Sequence, residues 1–341
     1  MKGPSSSFDI SWRTIAKILL AVALVWLWLQ LWQLVMVIVL ASVLAVALDP
    51  AVRALESRGV PRWAGALASV LSIAGFAVGM IAISWVSITE QSRLVLQNLT
   101  GFAQQIRAAF PAIERLMPAA AEGSNGLLQY AFAFGRSAAR AAGMFVVALV
   151  LTVYLLIEWR VTIEWLIAFV PADHRQKVRR TLSEARTTVF RYVIGNAVTS
   201  VITAVATFVV LALLKVPAAL VLAIIAGLFD FIPIVGFLLS LGITALLAAT
   251  VSMTTVVAVV AFYIVFNAVE SYLIAPRIYG RELELSKLAV LIAVAVGGQL
   301  GGVMGALLAL PIAALYPTIE RIWLRQQLST DTVELHERIS A

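Results

Sequence analysis

Two carboxylic acids stand in a part of the sequence where an acid is costly. Asp230 and Glu270 bound a run of 39 uncharged residues, and one membrane span needs only about 20. An acid among apolar residues is a candidate functional group, because burying it in the ionised form is unfavourable. Such a carboxyl can take up and release a proton when its surroundings change. The pair therefore predicts proton chemistry inside a membrane.

The residues around the two acids support this interpretation. Asn267 precedes Glu270 by one helical turn, so both belong to one helix face. Pro233 and Gly236 follow Asp230 closely and predict a break in the helix. We expect Asn267 to line a path and the break to let the segment move.

An alternative leaves one or both acids at the membrane interface, paired with a basic residue. The candidates are Lys215, Arg277 and Arg281. We expect Arg277, two helical turns beyond Glu270, to be a partial partner of that acid. For Glu270 both interpretations stay open, whereas the forced break beside Asp230 favours a functional role there.

A second uncharged run, of 32 residues from 288 to 319, is also interrupted. The residues that predict its break are Gly297, Gly298, Gly301, Gly302 and Gly305, with Pro311 beyond them. Irregular backbone at membrane depth is tolerated where protein or a watery cavity satisfies its polar groups. We therefore predict two broken, re-entrant hairpins, at 217–250 and 286–320. Hairpins entering from opposite faces would resemble the inverted repeats of secondary transporters.

The order of these motifs is similar to that of a known family. The matching segments are Phe231–Gly236, Asn267–Glu270, Pro276–Gly280, Gly297–Gly305 and Leu310–Ile312, with Phe169–Pro171, Arg175, Tyr192 and Gly195 upstream. Together they resemble the AI-2 exporter family of bacterial membrane proteins, also called PerM-like permeases, over nearly the whole chain. The resemblance implies export of the autoinducer-2 signal or a similar small polar solute. Some family members are linked instead to sodium–proton exchange.

The composition is that of a membrane protein. The chain is 62% hydrophobic and 13% charged, and its mean hydropathy is +0.99. The net charge of +7 comes from basic residues in short segments beside apolar runs, which is the positive-inside pattern and predicts no nucleic-acid partner. There is no Cys, only two separate His, and no phosphate-binding glycine loop. We therefore predict no enzyme activity, no cofactor and no metal.

The first apolar run, residues 18–48, allows one long helix or two short ones that turn near Gln30 and Gln33. A hairpin is preferred because it brings two basic groups to one side, which the positive-inside rule makes the cytoplasm. The two groups are Lys2, Arg13 and Lys17 before the run, and Arg53, Arg58 and Arg62 after it. Both chain termini are then predicted to be cytoplasmic.

The sequence predicts an all-α polytopic membrane protein with about eight membrane segments. In order, the predicted regions are N-terminal membrane helices (1–89), an extracytoplasmic amphipathic helical segment (90–140), a membrane span (141–171), a basic cytoplasmic segment (172–191), a transport core with both hairpins (192–325) and a cytoplasmic tail (326–341). An apolar stripe from Val95 to Met117 has no soluble partner within the chain. We therefore expect a homo-oligomer.

The preferred function is secondary or passive transport of a small polar solute across the bacterial inner membrane, with proton coupling through the acids. A sodium (lithium)/proton antiporter is the first alternative. A non-transporting membrane scaffold is the second, and it would have no need of membrane acids or broken helices.

Overall fold

A computed structural model describes residues 12–80, 82–83, 124–279 and 286–324, and these ranges are helical, without strands. The helices are α1 (Trp12–Glu56), α2 (Arg62–Met80), α3 (Ser124–Ala168), α4 (Ala172–Leu213), α5 (Ala219–Asp230), α6 (Val235–Ala248), α7 (Met253–Val269), α8 (Ala275–Tyr279), α9 (Lys287–Ala313) and α10 (Tyr316–Ile319). Wide π-helical turns at Glu270–Ile274 and Glu320–Leu324 follow α7 and α10. The stripe predicted from Val95 to Met117 and the tail at 326–341 lie outside the described residues.

Six helices in the described ranges are long and apolar enough to cross a membrane, and α5 and α6 are shorter apolar helices. This confirms the predicted all-α polytopic membrane fold. Many large apolar side chains point outward, among them Val201, Val205 and Val209 of α4. Outward-facing apolar side chains suit a helix that is surrounded by lipid.

The predicted hairpin at 18–48 is wrong, because α1 is one continuous helix of 45 residues. At 1.5 Å per residue it is ~67 Å long, about twice the hydrocarbon thickness. The run contains no Gly or Pro to break the helix, and Gln30 and Gln33 are themselves good helix formers. The helix also continues through Pro50 and ends at Glu56.

Helices α3 and α4 extend beyond the predicted regions. Helix α3 begins at Ser124 and runs across the predicted junction between residues 140 and 141. Helix α4 has 42 residues and joins the basic segment to the following span without a break. A single rigid element therefore connects the charged end of the molecule to the predicted transport core.

The first predicted hairpin is formed by α5 and α6, and its break lies at residues 231–234. Ile234 there has a φ of +67°, which is unfavourable for a β-branched side chain. A Cβ atom added to Gly236 would lie 1.8 Å from the carbonyl oxygen of Phe229. Glycine is thus required where the start of α6 meets the end of α5.

The second predicted hairpin lies within α9. Gly302 interrupts the helix with a φ of 60° and a ψ of −141°. A Cβ atom on Gly305 would lie 2.0 Å from the carbonyl oxygen of Gly297, although eight residues of continuous helix would separate them by ~12 Å. The chain therefore folds back at Gly302, and Pro311 lies within the second arm.

Helix α4 is the central element of the core, since α5, α7, α8 and α9 all pack against it. One buried cluster joins Tyr192 of α4 to both arms of the second hairpin through Val294 and Leu310. Ile232, from the break in the first hairpin, packs on the edge of this cluster. The two broken hairpins therefore meet beside α4.

Candidate functional site

Asp230 and Glu270 meet in the folded chain. Asp230 is the last residue of α5, and Glu270 is the first residue of the π-helical turn after α7. Their carboxyl groups lie within hydrogen-bonding reach of each other, and both side chains are half-buried. Two carboxylates so close repel each other when both are ionised, whereas one shared proton removes the repulsion. The site is thus a carboxyl pair that can hold a proton.

Hydroxyl groups from α4 complete the surroundings of Asp230. The Ser200 hydroxyl donates a hydrogen bond to the Asp230 carboxylate over 3.1 Å, and Thr199 lies within reach of the same carboxylate. A Cβ atom on Gly227 would lie 2.9 Å from the carbonyl oxygen of Ser200. The glycine, one turn before Asp230, lets α5 approach α4 closely enough for these contacts.

The π-helical turn decides which residues face Glu270. Arg277 donates a hydrogen bond to the carbonyl oxygen of Leu273 over 3.2 Å and is exposed. The predicted partial pairing of Arg277 with Glu270 is not observed, because the acid contacts Asp230 instead. In a regular helix, residues seven apart share a face, but a π-turn, with its i→i+5 hydrogen bonds, winds more residues into each turn and rotates Arg277 away.

Asn267 lies one turn before Glu270 and is half-buried at the end of α7. Its side-chain oxygen accepts a long hydrogen bond, of 3.4 Å, from the Ser271 hydroxyl. This contact orients the amide along α7. The role of Asn267 in lining a path stays a prediction.

The remaining predicted residues shape the two breaks. Pro233 and Gly236 stand in the first break, between the Asp230 end of α5 and α6. In the second, Gly302 makes the turn, Gly297 and Gly305 touch through their backbones, and Gly298 and Gly301 face Ala306 and Met36. These residues position the hairpins, and a direct role in transport remains a prediction for each of them.

Sequence reasoning missed a set of buried hydroxyls next to the acid pair. They are Thr199, Ser200, Thr203 and Thr207 on α4, Ser240 and Thr244 on α6, and Tyr263 on α7. On α4 they recur every three or four residues and so occupy one face. That spacing could have been recognised in the sequence, because polar residues on one face of an apolar helix must find partners inside the protein.

A charged cluster nearer the N-terminal end of α4 was also missed. Buried Asp49 of α1 forms ion pairs with Arg53, Arg62 and Arg186, so that α1, α2 and α4 are joined. Arg62 also donates to the carbonyl oxygen of Leu156 on α3 over 2.8 Å. The cluster therefore connects four helices.

A second ion-pair cluster fastens the end of the last π-turn to α4. Glu184 bonds to Arg180 and Arg321, and Trp323 donates to the Thr181 hydroxyl over 2.9 Å. Within the described ranges, no group of three or more His, Cys, Asp or Glu residues could hold a metal ion.

Apolar spanning helices, two broken hairpins and a carboxyl pair beside the first hairpin are features of an α-helical membrane transporter. The chain belongs to the AI-2E transporter family, since the model of that family, described as "AI-2E family transporter", matches residues 17–325. The fold and the family agree on the class of protein.

Relatives carry names of the same kind. "Putative transport protein MT0215" of Mycobacterium tuberculosis is 30% identical over 330 residues, which cover 90% of this chain and 87% of the relative. "Putative transport protein sll0060" of Synechocystis sp. is 28% identical over 165 residues, covering 48% of this chain and 47% of the relative. A third, YrrI of Bacillus subtilis, is 26% identical and covers 46% of this chain and 44% of the relative.

Proposed function

We propose that this membrane transporter is a proton-coupled secondary transporter of a small polar solute, with the carboxyl pair of Asp230 and Glu270 as its proton site. The observation that carries the proposal is the contact between these two carboxyls, one at a helix break and the other on a π-turn. Neither break nor acid is needed for a structural scaffold. Proton exchange at the pair would then be linked to movement of the hairpin.

The geometry supports a simple coupling step. With one shared proton, the end of α5 and the π-turn stay together. Loss of that proton leaves two like charges, which repel strongly in a site of low dielectric. Pro233 and Gly236, in the break after Asp230, are where the backbone can absorb the resulting movement.

Autoinducer-2 or a similar small polar solute, exported across the inner membrane, is the proposed cargo. The family description and the motif resemblance support this choice. We also propose that the protein is a homo-oligomer, because the stripe from Val95 to Met117 needs a partner. A monodisperse monomer both in mild detergent and in lipid nanodiscs would contradict that proposal.

A sodium (lithium)/proton antiporter is the second candidate. The observation that favours it is the all-oxygen character of the site, in which two carboxyls lie beside the Ser200 and Thr199 hydroxyls. Oxygen ligands of this kind suit small hard cations. In that case the cation and the proton would compete for the same pair.

Proteoliposomes with an imposed pH gradient test both candidates. Efflux of autoinducer-2, or of Na⁺ or Li⁺, is measured together with the internal pH, which a trapped pH-sensitive dye reports. Asp230→Asn should fold normally and lose coupled transport, whereas Glu270→Gln should weaken transport and shift its pH dependence. Glu164→Gln, which alters an exposed acid paired with Arg179, is the matched control.

The outcomes separate the candidates. Dye responses to Na⁺ or Li⁺ but not to autoinducer-2 would favour the antiporter. Native transport by Asp230→Asn with an unchanged pH profile would overturn proton coupling through this pair.

A further inference from the structure

The inward face of α4 is polar, although the helix is surrounded by apolar elements. Its buried polar residues are Asn196, Thr199, Ser200, Thr203 and Thr207, and each side chain is more than nine-tenths buried. The outward face carries valines at positions such as 201 and 205. A hydroxyl inside a membrane protein is unfavourable unless it has a hydrogen-bond partner.

Two of these hydroxyls have no partner among the described residues: Thr203 Oγ1 and Thr207 Oγ1. A helical Thr or Ser usually donates to the carbonyl oxygen four residues earlier. Other residues of this chain do so, as Thr152 donates to Ala148 over 2.7 Å and Ser240 to Gly236 over 2.7 Å. Thr203 and Thr207 do not use this default bond, so the hydrogen-bonding capacity of both hydroxyls is left unused.

The two unpartnered hydroxyls lie between two polar sites. Thr203 approaches Asp230, and one turn further along α4 Thr207 approaches the hydroxyl of Tyr263. That hydroxyl is 3.1 Å from Thr244 Oγ1 on α6. From the acid pair to Tyr263 the row follows about two turns of α4, or roughly 10 Å.

We propose that Thr203 and Thr207 line a narrow file of water molecules, which carries protons between the carboxyl pair and the hydroxyls of Tyr263 and Thr244. A hydroxyl donates one hydrogen bond and accepts two, so it can pass a proton along such a file. Each buried water needs two to four polar partners, and the hydroxyl row supplies them. The role of the carboxyl pair as one end point of this proton movement rests on the proposed function of Asp230 and Glu270.

The groups around the file favour a proton over a metal cation. Asp230 from α5 and Glu270 from the π-turn are the titratable groups at one end, and Tyr263 from α7 is at the other. Helix α6 faces the file with the hydroxyls of Ser240 and Thr244. Between the two ends, the described side chains that line the file are neutral. A metal cation would lose its hydration there without a compensating charge. A proton is instead passed from one hydrogen-bonded group to the next.

Single cysteines test for water along the file, because the chain has no native Cys. Silver ions, which are small and react with thiols in water, are added to Thr203→Cys and Thr207→Cys in lipid vesicles. Thiols left unreacted are then counted with a fluorescent maleimide after denaturation. Val205→Cys and Val209→Cys, on the outward face of the same helix, are the matched controls.

Both threonine positions should react at least ~10-fold faster than the valine positions, because a thiol ionises readily only in contact with water. Equal, slow reaction at all four positions would overturn the water file. This readout needs neither an identified solute nor active transport.

Proton flux tests the role of the file. In the proteoliposome assay with autoinducer-2, Na⁺ or Li⁺, Thr207→Val should reduce the dye response at least ~10-fold, and Thr207→Ser should restore it because it retains the hydroxyl. A native response from Thr207→Val, with no response from Asp230→Asn, would overturn the file and leave the acid pair in place. A native response from Asp230→Asn would refute the proposed function instead, and the silver reaction would still decide whether the file holds water.

Discussion

The indole Nε1 of Trp32 donates a hydrogen bond to the carbonyl oxygen of Leu300 over 2.6 Å. Leu300 lies just before the non-helical Gly302, so the fold-back removes the usual helical partner of its carbonyl. Helix α1 supplies the missing donor, and its Met36 packs against Gly301 next to the break. The long N-terminal helix therefore stabilises the tip of the second hairpin.

Trp32→Phe should lower the stability of the protein by about 1 kcal/mol, the net contribution of one hydrogen bond. The ring remains, but the Leu300 carbonyl is left without its donor. Thermal unfolding in detergent measures the change. Trp26→Phe, on the exposed surface of α1, should leave the melting temperature unchanged, and an equal loss in both variants would contradict the role of this bond.

Gly236→Ala should disrupt the first hairpin. The new Cβ atom would lie 1.8 Å from the carbonyl oxygen of Phe229, and a backbone atom cannot move aside as a flexible side chain can. We expect poor folding or a large fall in melting temperature. Gly242→Ala, in the same helix with nothing within 4 Å of its Cβ, should be neutral or slightly stabilising. Similar melting temperatures for both variants would refute the close contact.

The breaks could be predicted because their signals are local. Proline restricts the backbone and glycine frees it, so Pro233 indicated the first break and the glycines between Gly297 and Gly305 indicated the second. Asp230 and Glu270 were recognisable for a similar reason, since charge is scarce in these apolar runs. Their mutual contact was not predictable, because it depends on how α5 and α7 pack on α4.

Two predictions were wrong because the local backbone structure differs from what each of them assumed. The predicted hairpin at 18–48 rested on the distribution of basic residues, but Gln30 and Gln33 are good helix formers and α1 continues through both of them. The pairing of Glu270 with Arg277 assumed regular helical spacing, and the π-turn at Glu270–Ile274 changes that spacing. A π-turn has no clear sequence signal.

Asp49→Asn should destabilise the junction of α1, α2 and α4. The carboxylate neutralises Arg53, Arg62 and Arg186, and its loss leaves three cations close together. We expect a loss on the order of 2 kcal/mol, less than for a fully buried pair because the arginines are partly exposed. Denaturation in detergent measures it, with the exposed Glu164→Gln as control. Equal stability of the two variants would contradict the structural role of Asp49.

The single helix α1 also changes the expected topology. The ion pairs gather arginines from α1, α2, α4 and the last π-turn toward the N-terminal end of α4, among them Arg62, Arg186 and Arg321. The positive-inside rule makes that end cytoplasmic. Arg13 and Arg53 are at opposite ends of α1, so we expect the N-terminus on the outer side, rather than in the cytoplasm.

Labelling of single cysteines on intact cells with a membrane-impermeant maleimide measures this arrangement. Cysteines replacing Arg53, Arg58, Arg175, Arg179, Arg277 and Arg321 should react only after the cells are opened. Cysteines replacing Arg13 and Gln105 should react from outside, because α1 crosses the bilayer once and residues 90–126 are predicted to face outward. Outside labelling at Arg179 would reverse the topology. If neither position 13 nor position 53 is labelled from outside, both ends of α1 lie on the cytoplasmic side. That result would mean that α1 does not span the membrane.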